Sequence, residues 1–527
     1  MKLRKIYTSA GILLLSLFCI GDAVAKDAKF ETGVSFGSTG ADEPYSSLTD
    51  KDGNYYISGM CRGDVEFAGG ATIKGRGGMD AVIVKYDAKP NILWARAVGG
   101  SKDDTFERIA VTSAGDIVAV GKISGDVTID GTDQTLSGTQ STDGCIVVYD
   151  KDGNYKSSAQ IKAAGASLCY SVAVDKSDNI FVTGSTVGAT DFGNEKTVTI
   201  EGSNPGTFLA CYNNSLVCQW AIAGSSPVQS YGWAVNFDKE ENILLTGRFG
   251  TTFTITGTDG EALTTAVGSE SSQDTYVAKL SHEGVGQWIT YVTNSNRIDT
   301  RSIDSDSQGN VYIWGHCQSA VTPEGQSPLG FNGNFDSFLI KYSSAGAYLD
   351  GMNLGGSGRD EAKSLFVDAD DNIYVAGNVN GDGSKGGTAV NMNPRGESKD
   401  YTFKGHDGYV AKYNGSTWEL MQLEKTVTPD NANQHEVAWC VTMSPDYNKV
   451  YVTGYFNNGA TVFDGASLTL PFVRDYDIYT VLYSYTLMVK TKTLEPGVAN
   501  EPYYSNIVVD NVEGAVKFEI VSGAFPD

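Results

Sequence analysis

GNYYISG at 53–59 returns in altered form as GDIVAVG at 115–121, DNIFVTG at 178–184, ENILLTG at 241–247, GNVYIWG at 309–315, DNIYVAG at 371–377 and NKVYVTG at 448–454. Each is a short strand-like run that closes on a glycine, and the steps between those glycines are 62, 63, 63, 68, 62 and 77 residues. Self-similarity at a nearly fixed period means that one supersecondary unit is repeated, which constrains the fold more strongly than any local motif.

Working outward, each copy holds four such runs, as in FERIAVT, GDIVAVGK, GCIVVYD and YKSSAQIK of the second. The runs are short and rich in Val, Ile, Tyr and Phe, and turn residues separate them, which predicts antiparallel strands in a meander. The first turn reads DKDGN at 50–54, DKSDN at 175–179, DKEEN at 238–242 and DADDN at 368–372; Asp, Asn and Gly close tight turns by side-chain bonds to the backbone or by accepting positive φ. Four-stranded sheets bury their faces by radial packing, so the unit predicts an all-β propeller of four-stranded antiparallel blades. Seven inner strand pairs are followed by only six fourth strands, around Trp94, Tyr155, Trp220, Trp288, Tyr348 and Trp418. The missing one is FETGVSFGS at 30–38, which is similar to the outer-strand text WARAVGGS at 94–101. Paired with YTVLYSYTLMVK at 479–490, this N-terminal strand would close a seven-bladed ring within 26–493.

The phrases DAVIVKYDAKPNILWARAVGGSKDD at 80–104 and DSFLIKYSSAGAYLDGMNLGGSGRDEA at 336–362 resemble the bacterial SBBP repeat, a β-propeller repeat of secreted and surface proteins. The resemblance spans nearly all of the repeated region and implies the fold; the family has no shared catalytic residues to carry over. The text at 494–527, ending SGAFPD, resembles the start of a bacterial immunoglobulin-like module of adhesin type, incomplete because such a sandwich needs on the order of 80 to 100 residues.

At the other end, Lys2, Arg4 and Lys5, an apolar stretch from Ala10 to Ile20 and Ala23-Val24-Ala25 read as a signal peptide over 1–25, too short to span a bilayer. Bulky Phe18 before Cys19 argues against lipidation. The expected protein is therefore exported, to be secreted, periplasmic or on the outer cell surface, with no membrane insertion after cleavage. A formal charge of −24 disfavours nucleic acid and anionic lipid, which it repels. Seven cysteines remain after cleavage, without CxxC spacing, which argues against a zinc site; only Cys211 and Cys218, flanking a predicted hairpin, are placed to face each other.

Several motifs read as scaffold. The DKDGN turns begin like a calcium loop but lack the glutamate that would complete it. Asp80, Asp143, Asp274, Asp336 and Asp407 recur at the start of third strands, and Lys85, Lys279, Lys341 and Lys412 recur within them. Repetition of this kind indicates structural bonds, so no catalytic residue, metal or cofactor is assigned. Because strands alternate direction, the connections after strands two and four emerge together, and those vary most in length. The extensions at 378–406 and 425–436 make this the expected binding face for an extracellular protein or glycan, with Arg395, Tyr401, His406 and His435 as non-repeated contact residues. The alternatives are a propeller-fold lyase or glycosidase, which would need blade-specific acids and an aromatic platform in the axial channel, and a purely structural surface spacer.

Overall fold

The computed structural model describes residues 29–484, except 267–272, 381–387, 399, 404, 428–434, 447–448, 458–460, 464–465 and 469–474, together with 488–489 and 509–510. The expected signal peptide lies outside the described residues, as does all of the expected immunoglobulin-like segment but Val509–Asp510. The described elements are all β-strands, and the sheets are antiparallel.

The compact unit of residues 32–482 is built from consecutive four-stranded meanders. In the second, Thr105–Val111, Ile117–Ile129, Thr135–Tyr149 and Tyr155–Ala163 pair in chain order. The last three-stranded set, Glu436–Met443, Lys449–Phe456 and Asp477–Ser484, takes Lys29–Phe36 as its fourth member, in the order expected from the sequence. Val34 and Phe36 of that strand pack with Ile478 and Leu482. First strands contact one another from meander to meander, and Glu436–Met443 contacts Glu43–Thr49. The smaller unit contains the edge-on ring pair Phe30 and Tyr483, with centroids 6.0 Å apart, and a two-stranded pairing of Met488–Val489 with Val509–Asp510.

Second and third strands are buried on both faces, as in Tyr55–Cys61 and Asp80–Tyr86, because each sheet is covered by neighbours on both sides. One such layer joins Tyr56, Ile83 and Trp94 of the first meander to Phe106, Ile117, Val147 and Tyr149 of the second. That is why these strands read as continuous apolar runs rather than alternating ones.

The turn acids act as the repetition implied. Asp50 accepts bonds from the Asp52 and Asn54 amides and from the Asn54 side chain, closing an Asx turn. The repeated lysines pair with the same carboxylates: Lys279 with Asp238 at 2.6 Å and Lys341 with Asp306 at 3.0 Å. Trp94 and Trp288 donate their indole N–H to the Lys151 and Ser344 carbonyls of the following meander.

Two expectations need correction. The signature glycine does not end its strand: Gly59 lies inside Tyr55–Cys61 and Gly184 inside Ile180–Thr186. Cys211 and Cys218 do not oppose each other, for a register shift between Cys211 and Tyr212 sets Trp220 opposite Cys211 and Cys218 opposite Tyr212; both thiols are free and buried.

Candidate binding cavity

Each first strand holds a half-buried residue near its middle, as at Tyr45, Trp233, Arg301 and Trp439. In each first strand the ladder shifts by one residue, between Pro44 and Ser46, Phe106 and Arg108, Cys169 and Ser171, Gly232 and Ala234, Thr300 and Ser302, Ala362 and Ser364, and Ala438 and Cys440. The residues left unopposed by these β-bulges are Tyr45, Glu107, Tyr170, Trp233, Arg301, Lys363 and Trp439. All of them, with Arg108, line one cavity of about 60 Å³. A bulge re-aims side chains at a sheet edge, here toward the shared cavity.

The signature glycine makes the bulge possible. It lies directly opposite the residue before the bulged one, and the bulge brings a first-strand carbonyl onto the position its Cβ would occupy. A Cβ at Gly184 would sit 1.8 Å from the Leu168 oxygen, and one at Gly454 1.7 Å from the Val437 oxygen. The repeated glycine and the variable lining residue are thus two halves of one device.

The lining residue changes type from each unit to the next. Tyr170 and Trp233 have ring centroids 4.4 Å apart, and Tyr45 and Trp439 5.6 Å. The Arg301 guanidinium lies 5.2 Å from the Trp233 ring centroid and the Lys363 ammonium 4.1 Å from that of Trp439, both within cation–π reach. Arg108 reaches across to donate to the Arg301 carbonyl at 3.4 Å, and Thr105 donates to Glu107 at 2.7 Å. Burial pushes the Glu107 carboxyl up, partly offset by the Thr105 bond, and pulls the Arg108 and Lys363 cations down, with Glu361 opposing the shift at Lys363. Behind Arg301, the fully buried Asp299 carboxylate is faced by Arg248 at 3.1 Å, Arg297 at 2.5 Å and Arg301 at 3.8 Å, with His316 at 3.6 Å. Burial raises the Asp299 pKa, but His316 and the arginines outweigh it and hold the group well below the usual carboxylate range.

Of the four residues singled out from the sequence, His406 and His435 are the pair seen in contact among the described residues. Arg395 pairs with Asp350 and donates to the Gly351 carbonyl at 2.6 Å, both on the outer strand of the preceding meander. Tyr401 belongs to a two-stranded excursion, Thr388–Asn391 with Asp400–Phe403, and packs on the apolar core. His406 and His435 do meet, through a parallel bridge between neighbouring meanders, with ring centroids 4.0 Å apart. Burial and then the second imidazole lower His406 to about 4, and burial lowers His435. With folded values below the unfolded ones, protons bind the unfolded chain first as pH falls. Wild type is therefore expected to lose stability relative to His406→Gln from about pH 6.5 down toward 4; chemical denaturation across that range checks it, and a constant difference would contradict it.

Residue-type recurrence passed over the cavity residues because no two neighbouring copies agree there. The available signal was positional: each follows the residue opposite a signature glycine.

Residues 158–193 match the model of the SBBP family, described as a beta-propeller repeat. An uncharacterized WD repeat-containing protein of Acanthamoeba polyphaga mimivirus is 21% identical over 435 residues, 67% of this chain and 31% of that protein. The chain thus spans about a third of the length of the curated relative it matches. Among solved structures, the Dos1 propeller is similar at 9% identity and TM-score 0.36, covering 87% of this chain and 95% of that one. The periplasmic gluconolactonase of Pseudomonas aeruginosa is similar at 10% identity and TM-score 0.35, covering 76% and 94%.

Proposed function

We propose that the chain is an exported, seven-bladed β-propeller that acts as a non-catalytic binding scaffold, with its recognition site in the central cavity rather than on the outer part of the long loops. One observation carries this reading: every four-stranded unit contributes its bulged residue to the same cavity, and no two adjacent units contribute the same type. A spacer would need no such variety, whereas a ligand site needs unlike groups converging on one space. Support for the seven-bladed ring comes from the 62-to-77-residue period, the pairing of Lys29–Phe36 with Asp477–Ser484 and the contact between the first and last inner strands. The bulged residues fall third or fourth in their strands, in the half nearer the connections from the preceding blade. Export rests on the N-terminal text, and a mature protein beginning at Lys26 is the expected result of N-terminal sequencing; one retaining Met1 would contradict it.

A glycan and extracellular-protein array, scored for binding and for product formation, tests the function. Trp233→Ala is expected to weaken whatever binds by about tenfold or more, the usual effect of truncating a central aromatic anchor. Undiminished binding by that variant would place recognition elsewhere, and turnover of a bound glycan would replace the scaffold reading with an enzymatic one.

A further inference from the structure

We infer that the cavity takes an acidic saccharide, its anionic substituent at the centre and its sugar ring against the surrounding aromatic side chains; this rests on the cavity-binding reading above. The protein carries a formal charge of −24, yet Arg108, Arg301 and Lys363 line the cavity against the single carboxylate of Glu107. The buried layer behind does not neutralise the excess: Glu361 pairs with Lys363 at 2.7 Å but also with Arg359 at 2.6 Å, and Asp299 is shared among three guanidinium groups. In a recessed site with low-dielectric walls such a local excess focuses on an incoming anion.

Unused hydrogen-bonding capacity points the same way. Nε of Arg108, Nε of Arg301 and the indole N–H of Trp233 are buried donors without an acceptor. Buried donors without partners are costly, and an acceptor-rich ligand relieves that cost. A cavity of about 60 Å³ holds a few waters, the space of one carboxylate or sulfate group rather than of a whole monosaccharide. The sugar ring must then lie at the rim, where Tyr45, Tyr170, Trp233 and Trp439 supply apolar surface. An acidic peptide fits less well, because its backbone N–H groups need acceptors and the lining offers one carboxylate, whereas sugar hydroxyls donate or accept as required.

Titration calorimetry on the full chain tests this with trigalacturonate, a sulfated chondroitin disaccharide, neutral cellotriose and hexaglutamate. At least one acidic saccharide is expected to bind about tenfold or more tighter than cellotriose, and to weaken as salt rises; which of the two binds separates uronate from sulfate. Arg301→Gln and Lys363→Gln are each expected to weaken it about fivefold or more, with Lys363→Arg retaining binding and melting temperatures confirming the fold. Cellotriose binding as tightly, hexaglutamate binding tightest, or neither acidic saccharide binding at millimolar concentration overturns the inference. Acidic-saccharide binding that Trp233→Ala leaves unchanged would instead overturn the cavity reading on which it rests.

Discussion

Gly184→Ala is expected to destabilise the protein by about 3 kcal/mol or more, at the upper end of overpacking effects. The added methyl would sit 1.8 Å from the Leu168 carbonyl oxygen, a backbone atom that cannot rotate away as a side-chain tip can. Relief requires either separating Ser167–Val174 from Ile180–Thr186 or removing the bulge at Tyr170, and removing the bulge shifts Tyr170 off the cavity. The variant should therefore lose binding as well as stability. Gly330→Ala is the control: nothing lies within 4 Å of its Cβ position, and a change within about 0.5 kcal/mol is expected. Urea denaturation of both variants decides the matter. Equal, small effects would mean that the glycine opposite the bulge has no steric role.

Asp299→Asn is expected to cost about 3–5 kcal/mol, the usual penalty for removing one partner from a buried ionic group. Arg248, Arg297 and Arg301 would then face one another around a neutral amide, with His316 adjacent. Because the folded carboxyl is held below its unfolded value, its contribution is complete above about pH 4 and disappears as pH falls further. The wild-type advantage over Asp299→Asn should shrink in acid accordingly. Removing one cation as well, in Asp299→Asn with Arg297→Gln, should recover part of the loss, since Arg297 is the most exposed of the three arginines. Additive losses in that double variant would show that the two residues do not act as one electrostatic unit.

The scaffold residues were legible because their interactions are local and recur. Asp50, Asp175, Asp238 and Asp368 each close a turn within four residues of chain, so the same letters return at the same place. The lysine partners of Asp50, Asp238 and Asp368 sit two strands away in the same unit and recur for the same reason, whereas Asp175 takes His282 of the next unit instead. The cavity residues escaped this comparison because their role demands difference. Glu107 is a blade-specific acid of the kind an enzymatic reading would need, and no other unit has a carboxylate at the equivalent bulge, so no recurrence marks it in the sequence. The histidines show the opposite limit: the sequence sets His406 and His435 in separate copies of the repeat, and only packing between meanders brings the rings together. Arg395, expected as a non-repeated contact residue, has its guanidinium engaged by Asp350.

By itself the amino-acid sequence determined the period, the antiparallel meander, its tight turns and the N-terminal strand as partner of the last sheet, because each depends on apolar patterning and turn chemistry written within one unit. Only the tertiary structure decided which residue of each unit lines the shared cavity. That choice is made by strand register: a bulge is a mismatch between two strands, so it is visible in one strand only once its neighbour is laid beside it. The glycine is the part of the mismatch that sterics hold constant, and the residue it helps to expose is free to vary.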